Sequence, residues 1–220
     1  MSKLYVDEIK GNTGTTVTVP SGQTLTVAAN QTIGGTLSIT GESTLTGGAK
    51  VNTIKHTGGT TAMTIDSTGR ILTPAKPMFD VNKTSEQSVA SSTINKITWE
   101  TENYDVGGGF DLSNNRFIAP IAGKYFMSAY LTLGTMVAGA GIGLMWYKNG
   151  SIFRHGHHQS TEINITIAMS CSTTFNLAAN DYIEIFAFHG SGSSQGHGAA
   201  NNVGTGTIAN SNYWTGHLIG

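Results

Sequence analysis

The stretch Tyr104–Gly134 reads YDVGGGFDLSNNRFIAPIAGKYFMSAYLTLG, and it decides the fold. It begins with a glycine run, passes a Ser113-Asn114-Asn115 turn and Pro120, and then alternates. Tyr125, Met127, Ala129, Leu131 and Leu133 fall on one parity, and Phe126, Ser128 and Tyr130 on the other. A period of two means a β-strand, and turns this tight mean strands that double back at once. A strand in a lone sandwich shows water a polar face. Here both parities carry aromatics. YIEIFAF repeats the pattern, with Ile183, Ile185 and Ala187 against Tyr182, Glu184, Phe186 and Phe188. The first parity suits a core. The second is expected to meet another copy of the chain, which makes Phe126, Tyr130, Tyr182, Phe186 and Phe188 the expected subunit contacts.

Working outward, the composition agrees with an all-β chain. Charged residues make up 11% of the 220 positions, against about 25% in soluble domains, so hydroxyls, amides and glycines must keep the surface wet. The net charge of −1 leaves no footprint for nucleic acid or an anionic membrane. No window approaches the 18 apolar residues that a membrane span needs. The lone Cys171 excludes an intrachain disulfide. It shares a parity with Ile163, Ile165, Ile167, Met169, Thr173 and Phe175, which predicts a buried thiol rather than a nucleophile.

Residues 12–73 read as a repetitive stalk. Short aliphatic pairs (Val17 and Val19, Leu25 and Val27, Leu37 and Ile39, then Leu45) alternate with Thr and Ser between glycine turns. Each rung buries too little to stand alone, so rungs must stack on neighbours, as when three identical chains wind together. TAMTIDSTGRIL, with its Asp66-Ser67-Thr68-Gly69 turn, reads as a hairpin. Pro74 and Pro77 bracket a joint at 74–77, because proline fixes φ and lacks a donor. Residues 78–220 are enough for one sandwich with a core of its own. At the other end, residues 1–11 (MSKLYVDEIKG) lack the apolar run of a signal peptide. Leu4, Val6 and Ile9 stand among charges there, as an anchor docking into another protein would have them.

Several motifs in one order carry a resemblance. FDLSNNRFIAPIAGKYFMSAYL, LMWYKNGS, FNLAANDYIEIFAF and the closing NSNYWTGHLIG resemble the globular domains of the C1q/TNF family over residues 78–220. The resemblance implies a jelly-roll β-sandwich, a homotrimer, and binding without catalysis. Residues 1–73 resemble fibre and structural proteins of tailed bacteriophages, marine cyanophages in particular. Together these imply a virion protein, made in the host cytoplasm and released by lysis. Its N-terminus would join another virion protein, and its head would bind a host-surface glycan or protein. The alternative is a structural or decoration protein of head or tail, with no receptor of its own.

Two polar segments have a composition that a core does not explain: residues 154–162 and the long run 191–211. They offer Gln159, Gln195, His197, Asn201, Asn202 and Asn210 as receptor-contact candidates, and Tyr213 and Trp214 close the second as platform or core. His155, His157 and His158 form the one candidate metal cluster, read otherwise as an exposed polar loop; no cofactor is expected. Catalysis is not expected either. A glycan depolymerase needs paired carboxylates, and Glu100 and Glu102 sit two apart with no further partner. DVGGGFD lacks the Lys-Ser/Thr of a phosphate loop.

Overall fold

The computed structural model describes residues 36–44, 49–198 and 212–220, with positions 21, 24 and 33. The chain forms two compact units, Met1–Lys50 and Val51–Gly220. In the first, Leu37 and Ile39 are exposed. The other aliphatic pairs expected in the stalk, and the anchor residues Leu4, Val6 and Ile9, lie outside the described residues.

The second unit opens with a three-stranded antiparallel sheet of β1 (Thr53–Lys55), β2 (Thr61–Ile65) and β3 (Ile71–Leu72). The hairpin read from TAMTIDSTGRIL joins β2 to β3. Asp66 Oδ1 accepts the N–H groups of Thr68 and Arg70 across the turn, and Gly69 takes φ +84°.

The sandwich follows. Its strands are β4 (Met78–Lys83), β5 (Gln87–Val89), β6 (Ile94–Lys96), β7 (Thr101–Val106), β8 (Phe110–Asp111) and β9 (Arg116–Ile118). Then come β10 (Gly123–Met136), β11 (Gly141–Lys148), β12 (Ser151–Ser160), β13 (Ile165–Leu177), β14 (Tyr182–His189), β15 (Gln195–His197) and β16 (Asn212–Leu218). One sheet runs β13-β10-β16-β4-β7 and the other β12-β11-β14-β9-β8, with β6 also on β14 and a separate ribbon of β5 with β15. The connectivity defines the fold. Take β4, β9, β10, β11, β12, β13, β14 and β16 as eight strands. The first pairs with the last, the second with the seventh, the third with the sixth and the fourth with the fifth, all antiparallel. That nesting is a jelly roll.

The inner faces bury what alternation placed there. Tyr125, Met127, Ala129, Leu131 and Leu133 of β10 oppose Ile142, Leu144 and Trp146 of β11 and Ile183, Ile185 and Ala187 of β14, all buried. Trp214, Trp99, Phe79, Phe110 and Phe117 make an aromatic cluster with ring centroids 4.7–5.9 Å apart, in the offset and edge-on arrangements that aromatic quadrupoles favour. Trp214 is therefore core and no platform. Cys171 is buried, as its parity predicts, and burial pushes its thiol up to about 12.

The glycine run has a mechanical reason. Gly107 and Gly108 take φ +99° and +65°, and a Cβ on Gly109 would stand 2.5 Å from the Phe117 ring. Asp105 then caps the turn by accepting the N–H groups of Gly109 and Phe110.

Three segments depart from expectation. Ile163 and Ile165 are exposed although they share the core parity of β13, which reaches the core only from Ile167 on. FRHGHHQSTE, read otherwise as a loop, is for the most part edge strand β12. The run 191–211 is not wholly irregular, since Gln195–His197 pairs with Gln87–Val89.

Candidate functional site

On the outer face of the six-stranded sheet a groove of about 310 Å³ opens between β11, β12, β14 and β6. Gly143 and Met145 form its floor, Phe188 and Ile94 one wall, His155 and His158 the other, with Ser92 at the rim. The histidine wall is built by a β-bulge. Leu144 faces His157 and Met145 faces His155, so Gly156 is the extra residue. Gly156 has no room for a side chain, because a Cβ would stand 2.4 Å from that of Cys171. The bulge rotates the strand so that His155 and His158, three apart, share the outer face, with ring centroids 6.5 Å apart.

The same bulge sends His157 to the inner side, where its Nε2 is enclosed without a partner. The three histidines therefore do not converge on one point within a chain. Among the described residues no group of three or more His, Cys, Asp and Glu side chains is placed to hold an ion.

The remaining candidates are dispersed. Gln159 is half-buried on β12 and Gln195 half-buried on β15. His197 is 0% exposed, so it cannot touch a receptor, and its place among the receptor contacts is corrected. Asn201, Asn202 and Asn210 lie outside the described residues. The groove residues Ser92, Ile94, Gly143 and Met145 escaped the sequence reading. They come from two segments that no local pattern joins.

The double-faced aromatics split between the two outer faces of the sandwich. Phe126 and Tyr130 lie on the five-stranded sheet, where Tyr130 stacks on Tyr213 at 6.0 Å and Phe126 packs against His217 at 5.7 Å. Tyr182, Phe186 and Phe188 lie on the six-stranded sheet. Phe186 stacks on Tyr147 of its own chain at 3.9 Å, and Arg116 covers the Tyr182 ring. A third apolar surface runs along the edge strands β12 and β13, which Arg154 Nη1 ties together by donating to Thr173 Oγ1 at 2.6 Å. Ile152, Phe153, Ile163 and Ile165 are exposed along that edge.

No protein-family profile matches the chain. Over 120 residues, half of its length, it is 28% identical to the Phage-like element PBSX protein XkdV of Bacillus subtilis (strain 168). Over 114 residues it is 25% identical to Uncharacterized protein YqcC of the same organism. The matched segments cover 17% and 31% of those two relatives, so the chain spans well under two thirds of either. Among solved structures it is similar to the globular domain of zebrafish complement 1qA protein, at 14% identity and TM-score 0.46, over 66% of this chain and 98% of that one. Murine APRIL gives 9% identity and TM-score 0.46 over 66% and 99%. The jelly-roll assignment rests on the strand pairing itself.

Proposed function

We propose that the chain is a bacteriophage virion fibre protein whose C-terminal jelly roll binds a host-surface glycan during adsorption. The phage assignment is carried by the similarity to a protein of a Bacillus phage-like element. The glycan assignment is carried by the groove. Its lining holds no Asp, Glu, Lys or Arg, with a phenyl ring and apolar floor for the C–H face of a sugar, and two imidazoles and one hydroxyl for its hydroxyl groups. Each such hydrogen bond contributes about 0.5–1.5 kcal/mol net, so one head binds weakly and adhesion rests on several heads acting together.

Self-association supplies them. The aromatic face of Phe126, Tyr130 and Tyr213 and the apolar edge of Ile152, Phe153, Ile163 and Ile165 are different surfaces of one molecule. Packing the edge of one copy on the face of the next is a heterologous contact, and a closed homotrimeric ring is the form of it proposed here. In the fibre, residues 12–73 form the stalk and residues 1–11 dock to another virion protein.

The test is competition. Purified protein should block adsorption of the phage to its host. Gly143→Leu should remove that block, because the substitution fills the groove. A Cβ at Gly143 meets nothing closer than 3.5 Å and its φ is ordinary, so the backbone there accepts a side chain. Equal blocking by both proteins overturns the groove assignment. Blocking by neither favours a structural or decoration role in the head or tail of the particle.

A further inference from the structure

Beneath the outer sheets lies a buried cluster that the binding reading does not use. His197 of β15 and His189 of β14 are both fully buried, with ring centroids 5.0 Å apart. Lys83 of β4 is equally enclosed beside them. His189 is satisfied: its Nε2 lies 3.0 Å from the Val89 carbonyl and its Nδ1 2.8 Å from Ser191 Oγ. His197 is not. Neither ring nitrogen has a hydrogen-bond partner. Buried polar groups are nearly always satisfied, and an orphaned imidazole in a well-packed place calls for an explanation.

The element that carries His197 is short, and beyond it Asn212 Nδ2 donates to the Gly198 carbonyl at 3.1 Å. β15 makes three register pairs with β5 and lies over β10, where Gly134 and Gly196 are pressed together so closely that a Cβ on Gly134 would stand 2.6 Å from the Gly196 oxygen. Gly198 follows at φ +74°, with the Lys83 methylenes filling the place of its side chain. Its N–H donates to the Thr132 carbonyl at 2.7 Å. The charged groups around the ring come from every side. Lys83 adds positive charge, and the second imidazole of His189 lies 5.0 Å away. Glu86 packs over Gly196, and Glu100 is engaged by Lys83. The Gln195 and Gly196 backbone groups beside the ring favour a proton on it, but burial and His189 outweigh them.

We infer that β15 is an acid-released strap: His197 must be neutral for the strap to lie on β5 and β10, and protonation undocks it. Burial, then the neighbouring His189 and Lys83, pushes the His197 imidazole down to about 4. The sign follows. The docked strap disfavours the proton, so docking is at full strength above about pH 6.5 and weakens as pH falls towards 4. With an ordinary imidazole in the released state, the opening equilibrium rises on the order of a hundredfold between pH 7 and pH 4.

Amide hydrogen exchange on the full chain, corrected for the intrinsic pH dependence, reads this directly. Protection of residues 87–89 and 195–197 should fall on the order of a hundredfold from pH 7 to pH 4, while residues 125–133 of β10 stay protected. In His197→Leu the strap should stay protected throughout. Constant protection in the wild type, or the same loss in His197→Leu, overturns the inference. If that variant does not fold, an NMR titration of the wild-type imidazoles decides: a His197 ring that titrates together with strap release supports the switch, and one titrating near 6.5 with the strap still protected overturns it.

Discussion

Lys83 carries its ammonium to the inside of the sandwich, where Nζ donates to Glu100 Oε1 at 2.7 Å and to Thr98 Oγ1 at 2.9 Å. The pair is asymmetric: the lysine is wholly enclosed and the carboxylate is partly wet. Burial pulls the Glu100 carboxyl up, but the Lys83 hydrogen bond and the Thr84 N–H hold it below the usual range. Its contribution is therefore present above the ordinary carboxylate pKa and is lost as the pH falls below it. Removing one member of a buried pair costs about 3–5 kcal/mol, whereas replacing both with apolar groups is often neutral. Glu100→Ala should thus lose about 3 kcal/mol in urea unfolding, and Lys83→Met added to it should recover most of the loss. A double variant as unstable as the single one would show that the stranded cation is not the cause. The pair was not legible beforehand. Lys83 ends a short strand and looks solvated, and its partners stand 15 and 17 residues away across a fold that alternation alone does not pair. Cys171, by contrast, was legible because its neighbours of like parity fix its side of the strand.

At the scale of elements, turns show where residue chemistry dictates geometry. Asn-Gly is the dipeptide that favours a type I′ hairpin, and Asn149 and Gly150 both take positive φ, +52° and +78°. The asparagine does more than tolerate the turn. Its Oδ1 accepts the Tyr182 N–H and its Nδ2 donates to Asp181 Oδ1, both at 2.8 Å, which ties the β11–β12 hairpin to the start of β14. Lys148, first, and then Asn149 hold the Asp181 carboxyl down to about 2, so the tie persists through mild acid and fails only as the pH nears 2. Asn149→Ala gives up both bonds and the left-handed preference, and should cost about 1–2 kcal/mol. A melting temperature indistinguishable from wild type would mean that Gly150 alone sets the turn. The same scale shows why β12 and β15 were hard to read. The Gly156 bulge breaks the alternation of β12 among its histidines, and β15 is three residues inside a Gly/Ser-rich run. Strands built by tertiary contact leave little trace in local pattern.

The whole molecule is where the proposed ring must stand or fall. Aromatics on both parities of β10 and β14 suggested an intersubunit surface, and the structure distributes them over opposite faces, each with stacked pairs of its own, Tyr130 on Tyr213 and Phe186 on Tyr147. The ring proposed above joins the Tyr130 face to the apolar edge, and their non-identity makes a sharp prediction. A heterologous ring needs each copy to use both surfaces. Tyr130→Asp spoils the face and Ile165→Asp spoils the edge, each by forcing a carboxylate into a contact that cannot satisfy it. Light scattering should give about three times the 23.1 kDa chain mass for the wild type and a single chain for each variant. Mixed in equal amounts, the two variants still hold one intact face and one intact edge between them, so they should form a two-chain complex that goes no further. An isologous interface built from the face alone predicts instead that Ile165→Asp pairs with itself in the absence of the other variant, and that no mixed complex forms. A well-folded wild-type monomer removes the ring altogether. If both variants stay trimeric, residues 12–73 and not the jelly roll hold the chains together, and the avidity argued for the groove comes from the stalk.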